Sequence, residues 1–322
     1  MKILVLDDYI GVAEKSAAWA TLPAGTELRI LRQPLSSERD RITEFQPYDV
    51  IVAMRERTPF PASLIDALPN LRLLVTTGAR NASIDMAACR RRGIVVCSAP
   101  GSPVSAAPAE LTWALILALM KRIPMQHRSV LEGRWQTAMT GLLHGKLLGL
   151  VGLGSLGSQV AKIGAAFGMQ VQAWSPNLTA ARAAQAGASL VDKATLFTTS
   201  DVVSLHLVLS DTTMSIVQRA DLRSMKRTAV FVNTSRADLV EADALEEALA
   251  AGWIEGAGLD VYRVEPLAAD DPLLGFNNVI LSPHLGYVTP ENMQAFYGNA
   301  LAAILAWSAG KPIRVLDGDV RR

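Results

Sequence analysis

The sequence has few cysteines and almost no excess of charge. Cys89 and Cys97 are the only cysteines among 322 residues, and their spacing fits neither a metal site nor a redox motif. A disulfide scaffold is therefore excluded, and we expect a reducing compartment, the cytoplasm. Lys and Arg number 31 and Asp and Glu 30, so the formal net charge is +1. Because nucleic-acid-binding domains usually carry a strong basic excess, no nucleic-acid partner is predicted.

Long apolar runs are also absent. The apolar core of the N-terminal segment spans only residues 3–6, whereas a signal peptide needs about 7–15 such residues. The most apolar helical stretch, 111–120, is short against the ~20 residues that span a bilayer. We therefore expect neither a signal peptide nor a membrane segment.

The chain contains instead two series of short apolar runs that alternate with helical patterns. The first series predicts strands at 3–6, 28–31, 50–53, 73–77 and 94–96. The second predicts strands at 147–151, 170–174, 202–207, 229–232, 258–261 and 279–281. Strands that alternate with helices indicate parallel βαβ units. We therefore predict an α/β protein with two Rossmann-like domains.

Two helical regions mark the domain boundaries. One runs from about Val104 to Trp135, with Pro108 near its start and Pro124 ending or kinking it. The last helix is capped by Thr289, starts at Pro290, and is expected to pack back onto the first domain. We predict a flavodoxin-like substrate domain from 1–98 plus 285–322. A doubly wound parallel-sheet dinucleotide-binding domain is predicted over 99–284.

A glycine-rich turn follows the predicted strand 147–151. It reads Gly152-Leu153-Gly154-Ser155-Leu156-Gly157, and a helical pattern begins at Ser155. The first glycine permits the bend, the second lets a pyrophosphate approach the backbone, and the third lets helix and strand pack closely. The free N–H groups at the helix start bind phosphate. This turn predicts a dinucleotide site that includes all three glycines, Ser155 and Leu156.

The position that reads the cofactor's ribose has no carboxylate. In NAD-selective sites an Asp or Glu about 20 residues after the glycine motif accepts hydrogen bonds from the 2′-hydroxyl. Ser175 stands there, 18 residues after Gly157, and Asn177 and Thr179 follow. These side chains can bind a 2′-phosphate, yet the nearest arginine is Arg182. The sequence therefore leaves both NAD and NADP open.

Polar side chains follow four further predicted strands of the second domain. They are His206, the run Asn233-Thr234-Ser235-Arg236, the run from Asp260 to Glu265, and the run Ser282-Pro283-His284-Leu285-Gly286. Ligands of open α/β sheets bind at the carboxyl ends of the strands, so these clusters predict a site. Hydride transfer from a nicotinamide to a ketone carbon leaves an alkoxide that must be protonated.

His284 suits that acid role, because histidine titrates near neutral pH. A neighbouring carboxylate such as Glu265 would stabilise the protonated ring and select its tautomer. Arg236 can hold a substrate carboxylate or polarise its carbonyl group.

These motifs resemble the D-isomer-specific 2-hydroxyacid dehydrogenases, which include phosphoglycerate dehydrogenases and glyoxylate/hydroxypyruvate reductases. The resemblance covers essentially the whole chain, and its spacings fit: 29 residues from Arg236 to Glu265, and 19 from Glu265 to His284. It implies that Arg236 binds substrate, that Glu265 supports the histidine, and that His284 is the acid/base. It further implies an NAD(P) site lined by Asn233, Thr234, Ser235 and Asp260. We also assign Gly286 to this site. His206 is either a residue beside the cofactor or a histidine whose hydrogen bonds are satisfied at the strand end.

The family's substrate-carboxylate loop resembles Thr77-Gly78-Ala79-Arg80-Asn81, with the backbone N–H groups of Gly78 and Ala79 as donors. Family members usually have a small apolar residue and another glycine where this chain has Arg80 and Asn81. Arg55 and Arg80 each follow a first-domain strand and are candidates for binding a second anionic group of the substrate. The resemblance also implies a homodimer through the helical region 104–122. No metal site is predicted.

Three alternatives stay open at this point. A formate-type dehydrogenase on the same scaffold needs no acid for an alkoxide, so paired Glu265 and His284 argue against it. A non-catalytic NAD(H)-sensing protein would bind the nucleotide without turning over any hydroxy acid. A methyltransferase that uses the glycine turn for S-adenosylmethionine leaves Arg236, Glu265 and His284 unexplained.

Overall fold

The computed structural model describes residues 1–102 and 106–316. Its strands are β1 Lys2–Val5, β2 Glu27–Ile30, β3 Val50–Ala53, β4 Leu73–Thr77, β5 Val95–Ala99, β6 Leu147–Val151, β7 Gln170–Trp174, β8 Ser189–Leu190, β9 Val202–Leu205, β10 Val230–Asn233, β11 Gly256–Leu259 and β12 Val279–Leu281. Its helices are α1 Ala13–Ser16, α2 Glu38–Phe45, α3 Ala62–Asp66, α4 Met86–Arg91, α5 Ala107–Met120, α6 Ile123–Leu131, α7 Ser155–Ala166, α8 Ala180–Gln185, α9 Lys193–Thr199, α10 Arg219–Ser224, α11 Ala244–Ala250 and α12 Pro290–Ser308.

Contacts between residues divide the chain into two units. The first comprises Met1–Ser105 and Val288–Arg322, and the second comprises Ala106–Tyr287. The sequence placed the two crossings near 99 and 284, a few residues earlier in each case. Residues 103–105 and 317–322, which include the predicted helix start at Val104, lie outside the described part of the chain.

The first unit holds a parallel sheet of five strands in the order β2-β1-β3-β4-β5. Strands β3 and β4 are buried along their whole length. Burial on both faces explains why their sequences are continuous apolar runs rather than alternating ones. This strand order is flavodoxin-like, as the fold prediction states.

Helix α12 packs against β4 and β5 of this sheet. The Thr289 hydroxyl accepts a hydrogen bond from the N–H of Asn292, and Pro290 is the first helical residue. Phe296, Tyr297 and Ile304 are buried on the face that meets the sheet. The predicted cap and start of this helix are therefore confirmed.

The second unit holds a parallel sheet of seven strands in the order β12-β11-β10-β9-β6-β7-β8. Strands β7 and β8 are added on one side of β6, and β9 to β12 are added on the other side, so the strand order reverses between β6 and β9. This is the doubly wound arrangement that the sequence predicts. Strand β8 was not predicted, because two exposed residues, Ser189 and Leu190, carry no readable hydrophobic period. The apolar side chains on the two faces of this sheet form two separate cores.

The predicted helical region is interrupted next to Pro124, where the sequence predicts an end or a kink, but it ends before Trp135. It divides into α5 and α6, because the backbone at Arg122 adopts a left-handed conformation with φ of +51°. Pro124 then lies in the first turn of α6, where its missing N–H costs no hydrogen bond. Residues 132–135 lie beyond α6, which ends at Leu131. None of the helices in the described ranges combines the length and apolar character needed to cross a membrane.

The strand register brings the candidate residues of the second unit together. Leu205 pairs with Val151 on one side and with Asn233 on the other. Asn233 pairs with Leu259, which in turn pairs with Leu281. Because these strand ends are level, the residues that follow them emerge side by side along one edge of the sheet.

Candidate active site

His284 and Glu265 form a close pair at this edge. Nδ1 of His284 lies 2.7 Å from Oε2 of Glu265, and both side chains are mostly buried. A carboxylate only accepts hydrogen bonds, so Nδ1 carries the proton in this pair. Nε2 is then the ring atom that can exchange a proton with another molecule. This is the arrangement of an acid/base histidine oriented by a carboxylate.

Asp260 organises the loop that carries His284. Its Oδ1 accepts hydrogen bonds from the Ser282 hydroxyl at 2.5 Å and the Leu285 N–H at 2.7 Å. Its Oδ2 accepts from the Gly286 N–H at 2.9 Å. Burial raises the pKa of Asp260, and these three donors offset part of that increase. The carboxylate therefore joins both sides of His284, whose own backbone is left-handed with φ of +53°.

Arg236 lies on a loop that is tied to the sheet by its neighbours. The buried Asn233 amide donates to the Arg236 carbonyl at 2.9 Å and accepts from the Ser235 N–H at 3.0 Å. The Ser235 hydroxyl donates to the Leu205 carbonyl at 2.8 Å. The guanidinium of Arg236 donates to the Ser235 carbonyl at 2.7 Å. Asn233 and Ser235 thus set the course of the loop that carries Arg236.

The glycine turn between β6 and α7 is tightly built. A Cβ added at Gly157 would lie 2.3 Å from the Gly152 carbonyl oxygen, and one at Gly152 would lie 2.6 Å from that of His206. Gly152 also has φ of +101°, which glycine adopts without strain. At Gly154, by contrast, an added Cβ meets nothing within 4 Å. The first and third glycines serve packing, and the second leaves open space beside the backbone.

The N-terminus of α7 faces that open space with uncapped backbone groups. Gly154 is its N-cap residue, so no side chain accepts a hydrogen bond from the first turn. These N–H groups and the positive end of the helix dipole form an anion site of the kind that binds pyrophosphate. The residues present therefore fit a dinucleotide.

His206 lies directly after β9 and next to this turn. Its Nε2 is 3.0 Å from the Ser204 hydroxyl, and its Cβ would be 3.5 Å from a Cβ at Gly157. Burial lowers the pKa of His206 to about 4, so the ring is neutral at physiological pH. His206 therefore packs against Gly152 and Gly157 of the glycine turn.

The predicted ribose position lies on the turn after β7. The Ser175 carbonyl accepts from the Leu178 N–H, and the Thr179 hydroxyl caps α8 by accepting from the Arg182 N–H at 3.3 Å. The Arg182 guanidinium folds back to the Asn177 carbonyl at 3.5 Å. The turn therefore brings the Arg182 guanidinium next to Asn177.

Comparison with known proteins identifies the family. The family described as D-isomer specific 2-hydroxyacid dehydrogenase, NAD binding domain, matches residues 113–286. The chain belongs to the D-isomer-specific 2-hydroxyacid dehydrogenases. This confirms the resemblance found in the sequence.

Two sequence relatives illustrate the range of the D-isomer-specific 2-hydroxyacid dehydrogenases. D-3-phosphoglycerate dehydrogenase of Archaeoglobus fulgidus is 38% identical over 281 residues, which cover 86% of this chain and 53% of that protein. The chain thus spans about half the length of that relative. Glyoxylate reductase of Aeropyrum pernix is 37% identical over 257 residues, covering 77% of this chain and 76% of the relative.

A solved structure from the same family matches nearly the whole fold. It is a phosphoglycerate oxidoreductase from Vibrio cholerae, with a TM-score of 0.90 and 37% identity. The match covers 96% of this chain and 99% of that one.

The family's substrate-carboxylate loop corresponds to the end of β4 in the first unit. Ala79 and Arg80 are exposed there. The Gly78 N–H donates to the Ala99 carbonyl at 2.7 Å, so it is not the substrate donor that the sequence indicates. The Arg55 guanidinium lies against this loop. A Cβ added at Gly78 would be only 2.5 Å from Nη1 of Arg55.

Asn81 explains why this chain departs from the usual glycine at that position. Its buried amide donates to the Arg55 carbonyl at 2.6 Å and the Thr76 hydroxyl at 2.9 Å. Its Oδ1 accepts from the N–H of Ser83 at 2.9 Å and from the hydroxyl of the same residue. The side chain thus ties the loop to Arg55, the second residue after β3, where the backbone turns with φ of +54°.

The remaining histidines and the basic run lie outside these clusters. His127 and His144 are exposed. Arg92 donates to the carbonyls of Asp66 and Leu68, so part of the run 90–92 joins α4 to α3. Within residues 1–102 and 106–316, no group of three or more His, Cys, Asp or Glu side chains could hold a metal ion.

Sequence reasoning missed the roles of Asp260 and Asn81. An aspartate after a buried strand gave a signal for a site residue, but nothing in sequence showed that it binds the loop 282–286. Asn81 stood out only as a departure from the family loop. Both roles depend on hydrogen bonds between segments that are distant in sequence.

Proposed function

We propose that this protein transfers a hydride between a nicotinamide cofactor and C2 of a small D-2-hydroxy acid or the corresponding 2-oxo acid. The observation that carries the proposal is the His284–Glu265 pair at 2.7 Å, on the sheet edge that also carries the glycine turn. The relatives named as glyoxylate reductase and phosphoglycerate dehydrogenase support the same substrate class. The substrates in these names are 2-hydroxy or 2-oxo acids, with a carboxylate next to the reacting carbon.

His284 is proposed as the general acid/base. When the oxo acid is reduced, the protonated ring donates its Nε2 proton to the oxygen on C2, and in the reverse direction it takes that proton back. Glu265 accepts from Nδ1 and stabilises the positive charge that the ring carries before it donates. Arg236 is proposed to bind the substrate's carboxylate or carbonyl oxygen, because its planar guanidinium suits either group.

The cofactor is proposed to be NAD or NADP, bound to the second unit. When bound, it supplies or accepts the hydride. Gly152, Gly154, Ser155, Leu156 and Gly157 hold its pyrophosphate. Ser175 and Asn177 meet the ribose at the other end, and neither of them repels a 2′-phosphate. The residues assigned to the nicotinamide side, together with His206, are Asn233, Thr234, Ser235, Asp260 and Gly286.

Substrate recognition is assigned to the first unit. The exposed Ala79 and Arg80 on the loop after β4 offer a backbone N–H and a guanidinium to a carboxylate. Gly78 contributes by its conformation, with φ of +95°, rather than by its N–H. Arg55 packs over the same loop and is proposed to bind a second anionic group of the substrate.

A homodimer through the helical region 104–122, which includes α5, is proposed as well. Large apolar side chains are exposed on α6 and the segment after it: Ile123, Met125, Val130, Leu131, Trp135, Met139 and Leu142. Trp135 is 78% and Met139 91% exposed, and several large exposed apolar side chains within one segment, next to α5, are typical of a protein interface. Sedimentation of the purified protein tests this proposal, and a monomer at micromolar concentration contradicts it.

Parallel assays with NADH and NADPH test the proposed function. The absorbance of the reduced cofactor is followed with glyoxylate, hydroxypyruvate, pyruvate and phenylpyruvate, and turnover with at least one of them is expected. Calorimetric titration of both nucleotides accompanies the assays. Nucleotide binding without turnover of any of these acids favours the sensing alternative, and binding of neither nucleotide contradicts the proposal outright.

A further inference from the structure

Tyr262 bonds to Glu265 and to the loop that carries His284. Its backbone N–H donates to Oε1 of Glu265 at 3.0 Å, and the other oxygen of that carboxylate faces His284. Its phenol donates to the carbonyl of Ser282 at 2.9 Å, two residues before His284. One residue is therefore bonded to the carboxylate and to the loop of the histidine that it orients.

The phenol also spans two strand ends. Its oxygen lies 3.3 Å from the carbonyl of Leu259, the last residue of β11, and Ser282 directly follows β12. The ring packs against the apolar core of the same sheet. Burial raises the pKa of Tyr262, so the phenol keeps its proton near neutral pH and can donate a hydrogen bond.

We propose that Tyr262 is a positioning residue that holds His284 and Glu265 at the separation required for proton transfer. This inference rests on the proposed function, since it assigns a role within the same proton-transfer pair. Two fixed points are needed because the two side chains come from different loops and His284 has a left-handed backbone. The carboxylate of Asp260 holds the backbone after His284 at Leu285 and Gly286 and also accepts from the Ser282 hydroxyl. Tyr262 adds a second bond before His284, at the Ser282 carbonyl.

Removing only the hydroxyl of Tyr262 distinguishes the positioning role from the packing of its ring. Tyr262→Phe keeps the ring and the backbone N–H to Glu265 but loses the hydrogen bond to Ser282. The loop then holds His284 less firmly against Glu265, and the protonated ring loses part of its stabilisation. Glu265 bonds to the His284 ring, Asp260 interacts with it electrostatically, and the Tyr287 ring packs edge-on against it at 5.4 Å between centroids. None of these three groups is altered.

We expect kcat for reduction of the oxo acid to fall about 2- to 10-fold in Tyr262→Phe, the effect of one neutral hydrogen bond. The Kd for the nucleotide should be unchanged. The alkaline limb of the kcat/KM profile should move to lower pH by about half a unit to one unit. Tyr48→Phe is the matched control, because Tyr48 is a buried tyrosine of the first unit.

A second measurement does not depend on turnover. The chain has four histidines, so the ring signals of His284 can be assigned in an NMR titration by comparison with His284→Ala. In Tyr262→Phe these signals should titrate at lower pH than in the wild type, while those of His127 and His144 stay in place. If Tyr262→Phe does not fold, Tyr262→Met supports the same comparison, because a flexible side chain fills the space of the ring.

The outcomes separate this inference from the proposed function. If the wild type turns over and His284→Ala does not, but Tyr262→Phe has the wild-type pH profile and ring titration, only the role of Tyr262 is overturned. A wild type that turns over none of the acids overturns the proposed function. In that case a shifted ring titration in Tyr262→Phe still supports the positioning role.

Discussion

Nδ1 of His284 and Oε2 of Glu265 lie 2.7 Å apart although 19 residues separate them in sequence. The pair forms because β11 and β12 are neighbours in register, so the loops that follow them meet at the same sheet edge. His284 has φ of +53°, a conformation that costs a non-glycine residue roughly 1–2 kcal/mol. The hydrogen bonds of Asp260 on the same loop offset this cost, and so the fold maintains a strained but defined position for the ring.

His284→Ala should lower the turnover of oxo acids by a factor on the order of 10²–10⁴, because the alkoxide loses its proton donor. Binding of the nucleotide should change little, since the glycine turn is untouched. Steady-state kinetics and calorimetry measure the two effects separately. His144→Ala, which removes an exposed histidine, is the control. Turnover close to that of the wild type would exclude His284 from the mechanism.

Asp260→Asn should disturb the His284 loop more than Ser282→Ala does. The asparagine amide presents one acceptor and one donor where the carboxylate accepts three hydrogen bonds, so a backbone N–H of Leu285 or Gly286 is left unpaired. An unpaired buried donor costs about 1–3 kcal/mol. We expect a lower unfolding temperature and at least about tenfold lower kcat. Ser282→Ala keeps both backbone bonds and should retain more activity; equal effects of the two variants would argue against a clamp at Asp260.

The sequence predicted most of the fold because buried parallel strands are legible as apolar runs. The bounds of β3, β4, β6, β7 and β12 agree with the prediction residue for residue. The errors lie where tertiary contacts decide. The break between α5 and α6 was expected at Pro124, but the left-handed residue that makes it is Arg122, and the missed strand β8 is a two-residue pairing with β7.

The candidate site was predictable in its residues but not in its connections. Strand-end position and residue type singled out Arg236, Glu265 and His284, and the register of the sheet places the loops that carry them along one edge. The sequence could not show that the Gly78 N–H is already bonded to Ala99, or that Tyr262 bonds to both Glu265 and Ser282. Such contacts depend on loop geometry, for which a single sequence offers no periodic signal.

Two glycine substitutions in the turn after β6 should differ in whether they lower the stability of the fold. Gly157→Ala should destabilise the protein, because its Cβ would lie 2.3 Å from the Gly152 carbonyl oxygen and the backbone must shift. Gly154→Ala meets nothing within 4 Å, so the unfolding temperature should stay near that of the wild type. Nucleotide affinity should nevertheless fall, because the methyl group occupies the space assigned to the pyrophosphate. Thermal unfolding and calorimetric titration of both variants test this, and unchanged affinity in Gly154→Ala would place the nucleotide elsewhere.

Ser175→Asp should reduce the affinity for NADPH much more than that for NADH. The new carboxylate would repel a 2′-phosphate, whereas it can accept hydrogen bonds from a 2′-hydroxyl. Two like charges at contact distance interact by a few kcal/mol near a protein surface, so we expect at least about a tenfold change in the ratio of the two Kd values. Ser189→Asp, on the exposed edge strand β8, adds the same charge as a control. An unchanged ratio would mean that the ribose does not lie at Ser175.

The neutral ring of His206 should make stability depend on pH in a defined direction. Its folded-state pKa is about 4, below the ordinary 6.5, so between these values the unfolded chain binds a proton that the folded chain does not. The neutral ring of His206 therefore contributes its full share to the free energy of unfolding above about pH 6.5. This share, at most about 3 kcal/mol, is lost as the pH falls toward 4. Chemical denaturation at pH 7 and 4.5 should show a smaller loss in His206→Asn than in the wild type, because asparagine does not titrate. Other acid-sensitive groups, including Asp7 with its raised pKa, act equally in both proteins and cancel in the comparison. Equal losses in the two proteins would mean that the ring accepts its proton without unfolding, and hence that it does not lie buried against the glycine turn.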